Sequence, residues 1–278
     1  MSAARPQLSA DRPDLLWDAG AYAAHSRVQQ LWARELIARL NLRGDERVLD
    51  VGCGDGKITA EIARALPHGF ATGADASAAM IAFAQTTFSP AVPNAKFLVT
   101  DARRIAESPL AGERFDLVFS NAALHWVDDH PAFLRGAAAV LKPGGRLAVS
   151  CGGKGNARDV FQAMVPEMKL RRWREYFRDM PRPYFFFAPA DYETWLPLHG
   201  FKRIRVELAP KDALYEGAEG FATWLRLTWL PYVQRVPADR REEFIAAVTR
   251  RFVADHPPDA AGRVSVRMVR LEIEAVKI

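Results

Sequence analysis

The sequence has little cysteine and no long hydrophobic run. Cys53 and Cys151 are the two cysteines among 278 residues, which excludes a disulfide framework and leaves too few thiolates for a cysteine-based zinc site. No stretch approaches the roughly 18 consecutive apolar residues of a membrane-spanning helix. The opening MSAARPQLSADRPD lacks the apolar segment of a secretory signal and is expected to be loose. These absences predict a cytoplasmic protein without membrane contact.

A concentration of charge of one sign is also missing. Lys and Arg number 38 against 33 Asp and Glu, a net charge of +5, and the basic residues are scattered. A dedicated nucleic-acid-binding protein carries a denser basic patch, and no RNA-binding module is appended here. The mild excess fits an anionic small molecule and equally fits a solvated surface. The sequence predicts small-molecule chemistry, with an RNA substrate as a minor alternative, and leaves the oligomeric state open.

Strand-like and helix-like segments alternate in the first half of the chain. The predicted strands are RVLDVG, FATGAD, KFLVTD, FDLVFSN and RLAVSC, and helical patterns such as KITAEIARAL, SAAMIAFAQTTF and HPAFLRGAAAVL separate them. Another helical pattern covers 19–42. Alternation of this kind with apolar strands predicts an α/β fold, with a mostly parallel sheet covered on both faces.

The second half is richer in aromatic residues and in helices. We expect a flexible N-terminus over 1–16 and a core over 17–153, then helical lid or substrate elements over 154–200 and 213–258. The final strands, over 201–212 and 263–278, would complete a doubly wound sheet of about seven strands.

A glycine-rich turn follows the first predicted strand, in VLDVGCGDGKIT. Dinucleotide-binding enzymes place a third glycine where this chain has Lys57, which argues against a dinucleotide-binding oxidoreductase. The pattern from Asp50 to Gly56, D-x-G-x-G-x-G, instead resembles the first motif of class I S-adenosylmethionine (SAM)-dependent methyltransferases, which have a Rossmann-like fold. TGADAS, VTDARRI and FDLVFSNAALHWV resemble the later motifs of that family, in order and at strand ends.

The resemblance implies SAM as cofactor and S-adenosylhomocysteine as product. It implies that the glycine loop lies against the methionine tail of SAM, that one acid accepts hydrogen bonds from the ribose hydroxyls, and that a second acid binds the adenine amine. Backbone after the fourth strand would approach the methionine end. The matching positions are Tyr22, Asp50, Gly52, Cys53, Gly54, Gly56, Asp75, Ala76, Met80, Asp101, Ala102, Asn121 and Ala122. Asp50 could instead cap the loop, and Met80 could be an ordinary core residue.

The segment after the fourth predicted strand disfavours several methyl acceptors. SNAA stands where enzymes acting on nucleobase amines usually carry Asn/Asp-Pro-Pro-aromatic, and this motif lacks the cysteine of cytosine C5 methylation. HWVDDH offers atoms for a metal, but Asp128 and Asp129 precede Pro131 and are better interpreted as helix caps, so no metal is predicted.

SNAALHWVDDH and the C-terminal region resemble the trans-aconitate and juvenile-hormone-acid methyltransferases, which methylate a carboxylate of a small acid. The resemblance implies that Gln29 and Trp126 contact that carboxylate and that the methyl group passes directly, in line. For another O-, N- or C-methyl acceptor, His125 could be the base. Arginines from KLRRWREYFR pointing inward would indicate a polycarboxylate, whereas dominant aromatic residues from YFFFAPA, Trp195 and TWLRLTWLPY would indicate a terpenoid or fatty acid.

Overall fold

A computed structural model describes residue 20 and residues 27–278, with side chains from Gln30 onward. Seven strands form one sheet in the order β3-β2-β1-β4-β5-β7-β6. Strands β1 to β5 are parallel, and β7 is antiparallel to both of its neighbours. The strands are β1 Arg47–Val51, β2 Phe70–Asp75, β3 Ala95–Val99, β4 Phe115–Asn121, β5 Leu141–Gly152, β6 Phe201–Glu216 and β7 Arg263–Lys277. The predicted α/β, Rossmann-like sheet of about seven strands is confirmed.

Helices cover both faces of this sheet. They are α1 Arg27–Leu40, α2 Lys57–Arg64, α3 Ala78–Phe88, α4 His130–Val140, α5 Arg158–Met168, α6 Pro189–Leu198, α7 Gly217–Thr228, α8 Leu230–Val233 and α9 Arg241–Asp255. Side chains cap the start of α3 and α4: Ser77 accepts a hydrogen bond from the Met80 N–H, and Asp129, as predicted, accepts one from the Ala132 N–H. None of the helices among residues 27–278 combines the length and apolarity needed to cross a membrane.

Apolar packing divides into three clusters. One lies under α1 to α3, and a second lies under α4 and α6 on the other face of the sheet. The third joins α5, α7, α8 and α9 to the ends of β6 and β7, around the fully buried Trp173. Strand β6 continues to Glu216, four residues beyond the predicted 212, because residues 213–216 still pair with β7. Helices α5, α7, α8 and α9 thus form an added layer beside the carboxyl ends of the parallel strands.

Candidate active site

Backbone of the β1–α2 loop borders open space at the carboxyl end of β1. Gly52, Gly54 and Gly56 all have positive φ, of 76°, 54° and 81°. A Cβ on Gly52 would lie 2.1 Å from the Cβ of Ala123, whereas a Cβ on Gly54 would meet nothing within 4 Å. Gly52 therefore lets the fourth-strand motif approach the loop, and Gly54 leaves bare backbone facing a space that a ligand can fill. Cys53 between them is buried.

Two of the predicted acids make hydrogen bonds in and next to this loop. The Asp75 carboxylate accepts hydrogen bonds from the N–H groups of Gly54 and Ser77, both at 2.9 Å. Asp50 is 2% exposed and accepts one from the Thr59 hydroxyl at 2.6 Å. Burial raises the pKa of Asp50 to about 7, with Asp75 adding in the same direction. Each Asp75 oxygen keeps a lone pair for a further donor.

The acid predicted for adenine is engaged by a neighbouring arginine. Asp101 caps the 3₁₀ turn that begins at Ala102, and the Arg103 guanidinium lies 2.6 Å from its Oδ2. Arg103 also pairs with Asp128 at 3.0 Å. Asp128 was expected to cap a helix, and that expectation is wrong because Asp129 fills the position. Arg103 thus joins the end of β3 to the segment after β4.

Two other residues predicted for the cofactor site lie just after the end of β2. Met80 is buried in the first turn of α3, at 3% exposure, and Ala76 follows β2 directly.

The end of β4 carries a residue in a strained conformation. Ala122 has φ of 56°, in the left-handed region that residues with a Cβ rarely adopt. Its N–H donates to the Ser150 carbonyl oxygen on β5 at 2.8 Å. Strain of this kind concentrates at functional sites, and Asn121 and Ala122 were predicted beside the methionine end of SAM.

A short 3₁₀ turn, Leu124–Trp126, places His125 and Trp126 beside a cavity. His130 fixes this turn, because its Nε2 donates to the Leu124 carbonyl oxygen at 2.7 Å and its Nδ1 accepts from the Tyr192 hydroxyl at 2.6 Å. His130 is therefore a buried structural histidine of HWVDDH. No group of metal-ligating side chains occurs in the described part of the chain.

His125 is neutral at physiological pH. Surrounding apolar groups lower its pKa to about 3, and the Arg270 charge adds to the shift. Its Nδ1 lies 3.4 Å from the Gly152 N–H, a long hydrogen bond in which Nδ1 is the acceptor, so the proton of the neutral ring belongs on Nε2.

The cavity lies against the carboxyl ends of β4 and β5, and aromatic rings form most of its wall. Trp126 contacts the Tyr184 ring edge-on, with centroids 4.8 Å apart, and Tyr184 stacks on Phe186 at 5.6 Å. The cavity is lined by Trp32, Ala122, His125, Trp126, Asn156, Tyr184, Phe186, Trp224, Thr228, Trp229, Met268 and Arg270. Of these lining residues, Arg270 alone is formally charged.

Arg270 was not among the residues predicted from the sequence. It is 2% exposed, and its Nη2 donates to the Ser150 carbonyl oxygen at 2.5 Å. Its guanidinium carbon lies 5.1 Å from the Trp32 ring centroid, a cation–π contact. A basic residue in an alternating strand such as VRMVRLEIE is ordinarily solvent-exposed, so the local pattern gave no signal of this burial.

The remaining predicted residues either fall outside the description or do not line the cavity. Tyr22 is outside the described residues, and Gln29 lies in α1 with its side chain likewise outside the description. The arginines of KLRRWREYFR are exposed, and none lines the cavity. Trp195 packs on Phe187 and His130 rather than on the cavity, whereas Trp224 and Trp229 do line it.

Comparison with known sequences shows the class of enzyme that the glycine-rich loop resembles. A family model described as a methyltransferase domain matches residues 48–145. An uncharacterised methyltransferase of Schizosaccharomyces pombe is 30% identical over 73% of this chain and 76% of its own. The chain belongs to the class I SAM-dependent methyltransferases. SAM is its cofactor and S-adenosylhomocysteine is its product, consistent with the open space beside Gly54.

Within this class the chain is similar to trans-aconitate 2-methyltransferases over most of its length. That of Rhodopseudomonas palustris BisB18 is 29% identical over 94% of this chain and 99% of its own. The trans-aconitate 2-methyltransferase of Variovorax paradoxus is 29% identical over 94% of this chain and 98% of its own. Among solved structures, a methyltransferase fold from Bacillus halodurans superposes with a TM-score of 0.58 at 20% identity, covering 88% of this chain and 98% of its own.

Proposed function

We propose that this enzyme transfers the methyl group of SAM to a carboxylate oxygen of a small organic acid. The main support is the cavity beside Asn121 and Ala122. Aromatic rings form most of its wall, and the buried guanidinium of Arg270 lines it. A positive charge in such a cavity favours an anionic acceptor. The similarity to trans-aconitate 2-methyltransferases over 94% of the chain supports the same class of substrate.

The chemistry asks little of the protein beyond positioning. SAM supplies an electrophilic methyl group on a sulfonium. A carboxylate has lost its proton well below pH 7, so it attacks without help from a base. The aromatic walls exclude water from the acceptor, and the indole N–H of Trp126 is a donor that can aim a carboxylate oxygen. We assign the same positioning role to the Gln29 amide, and the ribose contact to Asp75.

His125 is better suited to donating a hydrogen bond than to removing a proton. With its pKa near 3, it is too weak a base to deprotonate an alcohol. Its neutral tautomer carries the proton on Nε2 and so offers a donor. These features favour a carboxylate over a hydroxyl acceptor. We also infer a cytoplasmic location, which is supported by two free, buried thiols.

The experiment is a panel of small acids, each assayed beside the alcohol and the amine of the same skeleton. Formation of S-adenosylhomocysteine is measured with purified enzyme and SAM. We expect turnover with acids alone, a rate nearly flat from about pH 6 to 9, and a fall of about 10–1,000-fold in kcat/KM for Trp126→Phe and for Gln29→Ala. Turnover of alcohols or amines in preference to every acid would refute the proposal.

A further inference from the structure

We propose that Arg270 is the specificity-determining residue of the acceptor site, binding a second carboxylate of the acid that is not methylated. The inference rests on the proposed function and deepens it, because it selects polycarboxylates from among the small acids. The sequence left the acid open: inward arginines at 169–178 would indicate a polycarboxylate, and dominant aromatic residues would indicate a terpenoid or fatty acid. No residue of that cluster lines the cavity and aromatic rings form most of its wall, so the inference depends on Arg270.

The guanidinium of Arg270 is fixed before any ligand arrives. Along one edge, Nη2 donates to the Ser150 carbonyl oxygen at 2.5 Å and Nε donates to the Ser150 hydroxyl at 3.3 Å. Its plane is held near the Trp32 ring. A side chain held in this way has little rotamer freedom left to lose on binding an anion, which favours affinity. A guanidinium also keeps its charge when buried, because it is not deprotonated in proteins.

The neighbouring acid on β7 is bound to other cations. Glu272 points to the same face of the sheet as Arg270, because side chains alternate along a strand. It is 2% exposed, and it pairs with Arg39 at 2.8 Å and with Arg205 at 2.5 Å. The negative charge of Glu272 is therefore balanced by Arg39 of α1 and Arg205 of β6.

The amide of Asn156 also lines the cavity, and it bonds to the residue before Arg270. The Asn156 side-chain oxygen accepts a hydrogen bond from the Val269 N–H at 3.0 Å, so its nitrogen carries the remaining donors. Glycine at 152 permits this arrangement, because a Cβ there would lie 2.9 Å from the Asn156 nitrogen. The Arg270 guanidinium and the Asn156 amide together offer hydrogen-bond donors of the kind that a carboxylate accepts.

The chemistry of transfer decides which carboxylate Arg270 binds. A bidentate ion pair withdraws charge from both oxygens and would weaken the nucleophile. The reacting carboxylate is better held by neutral donors such as the Trp126 indole. Arg270 is therefore assigned to the non-reacting group.

The test compares glutarate with pentanoate, which has the same five carbons but a methyl group in place of the second carboxylate. Wild type, Arg270→Met and Arg270→Lys are assayed for kcat/KM with both acids. We expect the wild type to prefer glutarate by about 100-fold, Arg270→Met to lose that preference, and Arg270→Lys to retain part of it. The SAM dissociation constant, from calorimetry, should change by less than about threefold.

A binding experiment covers the case in which a variant fails to fold. Wild-type protein loaded with S-adenosylhomocysteine is titrated with propane-1,2,3-tricarboxylate and with pentanoate, and the tricarboxylate should bind about 100-fold more tightly. Equal binding would overturn the inference. So would an Arg270→Met variant that loses both acids equally or binds SAM weakly, since Arg270 would then hold the reacting group, the cofactor or the fold. If no acid is methylated, the proposed function fails, and the same titration repeated on folded Arg270→Lys and Arg270→Met decides the role of Arg270.

Discussion

Gly54 allows the effect of a bound ligand to be separated from the effect of backbone strain. Its φ is 54°, and an added Cβ would meet no protein atom within 4 Å. Gly144 is a matched control, because its φ is 72° and its Cβ would also enter open space. It lies toward the amino end of β5, away from the strand ends that form the site. The substitutions Gly54→Ala and Gly144→Ala therefore impose the same kind of strain.

The two variants should lose the same unfolding free energy and differ only in their affinity for SAM. An alanine in the left-handed region costs about 1–2 kcal/mol, so both variants should lose that much unfolding free energy. At about 2–4 °C per kcal/mol, each should melt about 2–8 °C below wild type. Only in Gly54→Ala does the methyl group fill space beside the cofactor. We expect SAM binding there to weaken by at least about tenfold, or 1.4 kcal/mol, and to change less than about twofold in Gly144→Ala.

Calorimetric titration with SAM and thermal unfolding of the free protein together test this reasoning. If Gly54→Ala melts like Gly144→Ala and binds SAM as tightly as wild type, the glycine serves the turn alone and the open space is not the cofactor site. If both variants lose affinity equally, the loss reflects strain and the ligand argument is refuted.

The titratable groups of the site give three further predictions. Asp75→Asn should weaken SAM by about 1.5–3 kcal/mol through loss of a charge-assisted acceptor; unchanged affinity by calorimetry would remove Asp75 from the ribose site. His125→Gln should keep at least about a tenth of wild-type kcat/KM and the flat pH dependence, because a group with a pKa near 3 does not titrate between pH 6 and 9; a loss of about 1,000-fold would restore it as the base. Burial raises the pKa of Asp50 to about 7, above roughly 3.9 when unfolded, so it stabilises the fold at low pH. The unfolding free energy should therefore fall by about 3 kcal/mol as pH rises from about 4 to 7; an equally steep fall in Asp50→Asn would contradict this.

The sheet and the β1–α2 loop could be predicted because each is specified by consecutive residues. Each parallel strand is a short apolar run followed by a turn, and the D-x-G-x-G-x-G pattern specifies its own backbone. The positive φ of all three glycines and the capping role of Ser77 follow from a few consecutive residues.

The acceptor cavity was predictable only in part, because long-range pairing builds it. Arg270 reaches the site through the register of β7 on β5, which sets Arg270 opposite Gly152. A shift by one residue would turn the side chain to the other face, and no local pattern fixes that register. The same limit applies to Arg103, whose pairing with Asp128 joins residues 25 positions apart in the chain.

The pH dependence of the rate does not by itself separate a carboxylate acceptor from a hydroxyl acceptor. A histidine of ordinary pKa would give a rate rising through about 6.5. The lowered pKa of His125 moves any such limb below the assay range, so a flat profile fits both acceptors. The identity of the methylated atom has to be read from the product.

The most direct measurement is the base lability of the transferred methyl group. The enzyme is incubated with SAM labelled in its methyl group and the best acceptor of the panel, and the product is treated with mild alkali. A methyl ester hydrolyses and releases labelled methanol, whereas methyl ethers, methylamines and C-methyl groups are stable. Transfer to a carboxylate, in a cavity with the Arg270 cation and a non-basic His125, predicts that nearly all of the label becomes volatile. Label that stays with the product after alkali would contradict carboxylate methylation.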